Sequence, residues 1–310
     1  MLSVIGLVPR TELLQGAGAG TATDGTLIVD ERARTTLPNV YACGVCISVP
    51  QVITGRPVWW AQGALADKTA QVAGANAAGG SARLSPALGS VLVRVLDSTV
   101  GRTGLSQAEA IAQFGSENVG ATLISAPSHE RYYPQAASLL VQLYWHRRDG
   151  RLLGFEATGA AGVDKRVDAA AGAIAAGLSV EQVATLDLGY APPYSAARDP
   201  LNAAATVASL ERAGLGESIE PEELNRRLGE VQVVDVRPAG SNGIGPIPGS
   251  VTIPLEALRQ RIATLDSSRP TVTVSQTGWR GWLASRRARH HLETLSHAAG
   301  AARGTGGPLL

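Results

Sequence analysis

Apolar and polar positions follow different periods in three successive parts of the chain. Up to about residue 83, apolar runs separated by glycines predict brief strands over "MLSVIGLVP", "GTLIVD" and "LPNVYACGVC", with one short helix after the first strand. From about 85 to 209, alternating runs predict strands, and Asp149-Gly150 predicts the turn of a hairpin. Ser106 can cap a helix over "QAEAIAQFG", and alanine-rich segments that favour helix complete this part. From about 214 to 310, apolar strands alternate with amphipathic helices, a pattern typical of a small α/β layer with a parallel sheet.

The alanine-rich segments have clear boundaries. A helix over 167–176 is predicted to end at Gly177, and Ser179 is placed to cap the next helix. The stretch "LDLGYAPPYS" follows, where two prolines exclude both a helix and a central strand. Tyr190 and Tyr194 are therefore expected on a stiff, extended loop. A third helix is predicted after Pro200.

Composition narrows the class of protein. Of the 310 residues, 45% are hydrophobic and 17% charged, and the net charge is +1, so the chain reads as globular with no excess charge for nucleic acid or an anionic membrane. No apolar run reaches the roughly 18 residues of a membrane span, and no secretory leader is visible. We therefore expect a cytoplasmic protein with neither nucleic-acid nor membrane partners.

Two motifs near the start suggest chemistry only weakly. Gly16, Gly18 and Gly20 resemble a phosphate loop, but such a loop follows a strand and opens a helix, whereas here the order is reversed, which favours a plain turn. Cys43 and Cys46 have the CxxC spacing of redox or zinc sites. No second ligand pair has matching spacing, so a structural role is favoured and no metal is expected.

The runs "GVDKRVD" and "LDLGYAPPYSAARDPLN" closely resemble the dimerisation domain of pyridine nucleotide-disulfide oxidoreductases, in the branch of CoA-disulfide reductases and NADH oxidases. The resemblance implies a remnant of a FAD/NAD(P)-binding domain at 1–83 and an α+β dimerisation domain at 85–209, which leaves the α/β layer with a parallel sheet at 214–310 as a third part. It also implies a homodimer.

Where this family binds flavin, the sequence departs from the pattern. The stretch "VDERARTTLPNVYACGVC" resembles the return to the FAD domain, which usually ends in Gly-Asp, the aspartate binding the ribityl chain. Gly44 is followed by Val45 here, so the carboxylate is lost. In the helix that follows, Asp67, Ala70 and Gln71 replace the usual Asn, Gly and Arg. The family uses FAD and NAD(P)H, but we expect this chain alone to bind neither.

Tyrosines on two proline-constrained loops are the candidate substrate ligands. In CoA-disulfide reductases such tyrosines reach the partner subunit's active site and contact the CoA disulfide, which by resemblance assigns the role to Tyr132 and Tyr190. Tyr133 and Tyr194 are the second choices. The alternative is that these phenols only anchor their loops by packing and a hydrogen bond.

The last part carries motifs similar to a rhodanese domain: "VVDVRPAG", "GPIPGSVTIPL" and "VSQTGWRGWLAS". Ser275 occupies the position of the rhodanese cysteine, and a serine hydroxyl cannot carry sulfane sulfur. An anion-binding loop with Gln276, Gly278 and Arg280 is favoured over sulfur transfer. The remaining alternative is a loop without function.

Two functional hypotheses follow. The first is the C-terminal part of a FAD-dependent NAD(P)H:CoA-disulfide, or related disulfide, persulfide or oxygen, oxidoreductase that is inactive as this chain alone. Its front half, with the FAD loop and redox cysteine, is expected to be missing. The second is a dimeric pseudoenzyme that binds CoA or a small anion.

Overall fold

A computed structural model describes residues 6–219, 221–238 and 247–289, together with the backbone of 295–299. The chain divides into two compact units, Met1–Gly89 and Ser90–Leu310. Within the described residues, no helix is long and apolar enough to cross a bilayer.

The first unit has little regular structure. Its elements are α1 (Glu12–Gly16), β1 (Val49–Pro50), β2 (Pro57–Val58) and α2 (Gly63–Ala77). β1 and β2 pair antiparallel, and the other apolar runs make only single bridges, such as Leu27 with Ile47. The strands predicted over "GTLIVD" and "LPNVYACGVC" are therefore wrong. Residues 6–9 of the first predicted strand are also irregular, and its first five residues lie outside the described part.

The first unit nevertheless has a core. Leu27, Ala42, Ile47 and Val49 are buried together, and Leu65 of α2 and Trp60 pack against them. The apolar runs form loops connected by single β-bridges, and their side chains fill this cluster.

The second unit begins with an antiparallel sheet whose strand order is β3-β4-β7-β6-β5. Its elements are β3 (Val91–Val95), β4 (Ser98–Gly104), α3 (Gln107–Phe114), β5 (Val119–Pro127), β6 (Ser138–His146), β7 (Leu152–Gly159), α4 (Val163–Ala175), α5 (Val180–Ala184) and α6 (Pro200–Arg212). The predicted hairpin is confirmed: β6 and β7 pair antiparallel, and Gly150 in their turn has φ +74°.

Helix caps in this sheet region agree with the sequence. Ser106 and Ser179 each accept a hydrogen bond from a backbone N–H in the first turn, and each belongs to a complete capping box. Gly177, with φ +67°, follows the end of α4 as predicted. The core beneath the helices is formed by large, fully buried side chains: Leu139, Leu143, Trp145, Leu152, Leu153 and Phe155.

The remainder of the second unit is built around a parallel sheet of order β11-β10-β8-β9, which confirms the predicted α/β layer. Its elements are α7 (Pro221–Arg226), β8 (Gln232–Asp235), β9 (Val251–Thr252), α8 (Leu258–Arg261), β10 (Thr271–Ser275), α9 (Trp279–Ala288) and β11 (Leu295–Ala299). Val234, Val274 and Ile253 are fully buried in its core. Part of the "VVDVRPAG" and "GPIPGSVTIPL" motifs, residues 239–246, lies outside the described residues.

Candidate functional site

The two tyrosine-bearing loops of the second unit are fastened to each other. One loop, residues 128–137, joins β5 to β6, and the other, residues 185–199, joins α5 to α6. The Glu130 N–H donates to the Pro192 carbonyl at 3.3 Å. The Glu130 carboxylate accepts from the Ala197 N–H at 2.7 Å and from the Tyr190 hydroxyl at 3.5 Å. Glu130 thus joins one loop to the other.

This contact places the two predicted substrate ligands, Tyr132 and Tyr190, close together. Desolvation raises the pKa of Tyr190 above its ordinary value, and a hydrogen bond with Tyr132 and the charge of Glu130 raise it further. Both side chains still face solvent, with 74% of Tyr132 and 53% of Tyr190 exposed. Two adjacent, solvent-facing phenols form a surface that a ligand can reach.

The second-choice tyrosines have different surroundings. Tyr133 makes an edge contact with the ring of His129, at 6.0 Å between centroids. Tyr194 is exposed, and its carbonyl accepts from the Lys165 Nζ at 2.8 Å. Tyr133 therefore packs within its own loop. The side chain of Tyr194 is exposed, and its backbone carbonyl binds Lys165.

A buried ion pair between Arg166 and Asp199 stabilises both loops. Arg166 on α4 and Asp199 are only 1% and 5% exposed, and the Arg166 Nη2 lies 2.8 Å from the Asp199 Oδ2. Burial alone raises the pKa of Asp199, but the hydrogen bonds and charge of Arg166 outweigh it, so this pKa lies below its ordinary value. Asp199 also accepts from the Leu201 N–H and so caps α6.

Arg166 reaches both loops directly. Its Nη2 donates to the Ser128 carbonyl at 2.9 Å in the first loop and to the Ser195 hydroxyl at 3.3 Å in the second. The run "GVDKRVD" indicates the family in the sequence but assigns Arg166 no role. A signal was present, because Arg166 lies on the same helical stripe as the buried Val163, Val167 and Ala170. A charge on an apolar stripe needs a buried partner.

The loop predicted to bind anions follows β10. Ser275 is the last residue of that strand and only 2% exposed, and its hydroxyl accepts from the Gly281 N–H at 3.0 Å. Gln276 and Arg280 are exposed, and Gly278, with φ +81°, precedes α9. The Ser275 hydroxyl is therefore buried and hydrogen-bonded to α9, the helix that follows β10.

In the first unit, Gly44 and Val45 lie in a short 3-10 helix, Gly44–Cys46. The Gly44 N–H donates to the Thr69 hydroxyl of α2 at 2.9 Å, and the Val45 carbonyl accepts from the Trp59 indole at 2.7 Å. The exposed isopropyl group of Val45 cannot accept a hydrogen bond from a polyol. This position does not fit the ribityl chain of a flavin.

The two weaker motifs, the glycine-rich stretch and the cysteine pair, are part of the local backbone structure. Gly16 ends α1 and Gly20 packs against Thr36, so the glycine-rich stretch follows a helix as expected for a turn. The Cys46 thiol donates to the Cys43 carbonyl at 3.0 Å, and burial raises its pKa. Across the described residues, no three His, Cys, Asp or Glu side chains are grouped as metal ligands.

Comparison with protein families matches each part of the chain. Residues 1–83 match pyridine nucleotide-disulphide oxidoreductases, 92–201 match the dimerisation domain of the same proteins, and 220–302 match rhodanese-like domains. The chain belongs to the pyridine nucleotide-disulphide oxidoreductase family. The family resemblance read from "GVDKRVD" and the Tyr-Pro loop is thereby confirmed.

Similar proteins in this family point to sulfur chemistry. The NAD(P)H sulfur oxidoreductase (CoA-dependent) of Pyrococcus furiosus is 33% identical over 202 residues, which is 65% of this chain and 45% of that protein. A NAD-dependent persulfide reductase from A. fulgidus matches with TM-score 0.87 and 31% identity over 95% of this chain. Reduced Bacillus anthracis CoADR-RHD matches with TM-score 0.88 and 30% identity over 96%. The chain covers 53% of each of these two structures, so it spans about half the length of its relatives.

Proposed function

We propose that this chain is the dimer-forming, CoA-disulfide-binding and rhodanese-like part of a NAD(P)H-dependent disulfide or persulfide reductase. The observation that carries the proposal is the pairing of Tyr132 and Tyr190, two exposed phenols on loops that Glu130 and Arg166 hold together. The similarity to a CoA-dependent sulfur oxidoreductase supports the choice of ligand.

In this proposal the tyrosines bind and orient the ligand. A phenol hydroxyl both donates and accepts hydrogen bonds, and its ring offers an apolar face. Without a ligand, the single O–H of Tyr190 donates to Glu130 at 3.5 Å, and its oxygen can accept a hydrogen bond from an amide N–H of the ligand. The homodimer is part of the proposal, because the tyrosines of one subunit would serve the other.

The chain's own residues are not suited to the redox step. In such a reductase NAD(P)H would supply the electrons and FAD would pass them to the disulfide, but the apolar side chain of Val45 does not fit the flavin polyol. Ser275 cannot accept sulfane sulfur, because its hydroxyl is a weak nucleophile with its oxygen already bound to the Gly281 N–H. The proposal therefore assigns binding to this chain and derives no electron transfer through its residues.

Calorimetric titration of the purified chain with CoA disulfide tests the proposal. We expect saturable binding, weakened by about tenfold in Tyr190→Phe, the loss expected for a hydrogen bond of about 1.4 kcal/mol. Tyr132→Phe should weaken it similarly, whereas Tyr41→Phe, in the first unit, serves as the matched control. Absence of heat with wild-type protein, or equal affinity in all four proteins, would refute the binding role.

A second candidate is a pseudoenzyme whose function is binding alone, favoured by the replacement of both chemical positions, at Val45 and Ser275. An anaerobic NADH oxidation assay with CoA disulfide separates the two. If a flavoprotein partner chain restores thiol formation, the reductase assignment stands. If binding persists and no partner restores turnover, the pseudoenzyme assignment replaces it.

A further inference from the structure

A cavity in the second unit is lined in part by the two tyrosine loops, which contribute Arg131 and Arg198. Its volume is about 280 Å³, and β5, α6 and the start of α9 line it. The lining from β5 and α6 is largely apolar and includes Leu123, Val207 and Leu210. This is the combination of a preformed apolar wall and a few polar groups that small-molecule sites have.

The charges around the cavity have one sign. Arg131 and Arg198 line it, and no acidic residue does. Both arginines are exposed, and neither forms a hydrogen bond or an ion pair with any residue that the structure describes. Two such guanidinium groups beside an apolar cavity favour an anion, and their planar geometry suits a carboxylate.

Two tryptophans at the start of α9 form the aromatic part of the cavity wall. The rings of Trp279 and Trp282 are stacked, with centroids 5.1 Å apart and planes inclined by 18°. Trp279 is 49% exposed, so the pair presents indole surface to solvent and to the cavity that both residues line. Aromatic ligands pack well against such a surface.

Trp282 also has an unsatisfied donor. Its Nε1–H is buried and has no acceptor among the described residues. Buried donors nearly always have partners, so a donor without one beside a cavity indicates that the cavity's ligand supplies the acceptor. A carboxylate oxygen is the acceptor that the neighbouring arginines would also favour.

We propose that this cavity binds an aryl carboxylate, with its ring against the Trp279–Trp282 pair and apolar wall and its carboxylate held by Arg131, Arg198 and the Trp282 indole N–H. The site adjoins the proposed CoA site, because Arg131 and Arg198 belong to the two tyrosine loops, but neither Tyr132 nor Tyr190 lines it. Since Thr277 and Gly278 from the loop after Ser275 also line it, the loop that lacks a sulfur-carrying cysteine here contributes to a binding site.

Calorimetry with 1-naphthaleneacetate, and with its neutral amide as the matched ligand, tests the proposal. Wild-type protein should bind the acid at least about tenfold more tightly than the amide, the difference expected for charge-assisted hydrogen bonds. In the double variant Arg131→Met, Arg198→Met this preference should disappear while the amide still binds. Trp282→Phe, which keeps an aromatic ring and loses the donor, should weaken the acid.

Two controls keep the outcome decisive. Arg212→Met removes a cation from the same helix α6, but that arginine pairs with Glu181 and does not line the cavity, so it should leave the preference unchanged. Tyr190→Phe should also leave it unchanged, which separates this site from the CoA site. No binding of the acid to wild-type protein, or equal binding of acid and amide, would overturn the proposal.

Discussion

At the scale of single residues, Arg166 contributes most to the support of the tyrosine loops, although the sequence alone assigns it no role. It is a positioning residue in this account, because it contacts both tyrosine loops but neither tyrosine hydroxyl. Its partner Asp199 closes the network by accepting from the Ser195 hydroxyl at 2.7 Å and by capping α6.

Replacement of Arg166 by Met should lower the free energy of unfolding by about 3–5 kcal/mol, because Asp199 is left as an uncompensated buried charge. Urea denaturation measures this. The double variant Arg166→Met, Asp199→Asn should recover part of the loss, since the charge is gone. A loss below about 1 kcal/mol in the single variant, which is typical of an exposed pair, would contradict the network.

A second residue, Glu211 near the end of α6, should make stability depend on pH. Its carboxylate accepts from the Thr122 hydroxyl at 2.6 Å and from the Ser218 hydroxyl. Burial raises its pKa to about 7, although both hydrogen bonds and the charge of Arg147 oppose the rise, and Glu217 adds to it. The folded state therefore holds a proton on Glu211 that the unfolded state, with its ordinary pKa of 4.5, has released.

Because the folded state binds the extra proton between the two pKa values, stability should fall as pH rises from about 4.5 through about 7, by at most about 1.4 kcal/mol per unit of pKa difference. Glu211→Gln should flatten this part of the Tm–pH profile. Glu222→Gln, at an exposed position of α7 that does not contribute to the Glu211 pKa, is the control. Identical slopes in wild type and Glu211→Gln would exclude the effect.

At the scale of elements, features set by local sequence were predictable. Ser106, Ser179 and the Asp149-Gly150 turn depend on neighbours within a few residues, and the structure contains all three as expected. The short apolar runs of the first unit were mistaken for strands, because a run that makes a single bridge and a run that extends into a ladder have the same local pattern.

Contacts between distant segments were not predictable in the same way. The pairing of the tyrosine loops depends on Glu130 meeting Ala197, 67 residues away. The cavity depends on β5, α6 and α9 meeting, and no periodicity within one of them reveals the other two. The candidate tyrosines came from a family resemblance, and Arg166 is marked in the sequence only as a charge on an apolar helical stripe. No local pattern marks Arg131 or Trp282.

Two glycines of the dimerisation part, one in β7 and one in α4, provide a matched test of packing. A methyl group at Gly154 in β7 would overlap the Leu105 carbonyl oxygen, whereas one at Gly172 in α4 would meet no atom within 4 Å. Gly154→Ala should therefore destabilise by about 1–3 kcal/mol or more. Gly172→Ala should stabilise by about 0.5–1 kcal/mol through helix propensity. Thermal unfolding compares the two, and equal effects would contradict the register of β7.

At the scale of the whole molecule, the chain combines a family scaffold with altered chemical positions. The dimerisation part has its antiparallel sheet, the rhodanese-like part has its parallel sheet, and Glu130 and Arg166 hold the tyrosine loops together. Val45 and Ser275 stand where the family resemblance expects a flavin ligand and a sulfur carrier. The proposed binding role therefore rests on the tyrosine loops and not on these two positions.

Hydrogen–deuterium exchange with and without CoA disulfide tests this account most directly, because it locates the ligand along the chain. We predict that the ligand slows exchange of amides in residues 128–137 and 185–199, the two tyrosine loops, and that Tyr190→Phe reduces this protection. Protection confined to other segments, or no protection at a concentration at which calorimetry shows saturation, would contradict the proposal that these loops form the CoA site.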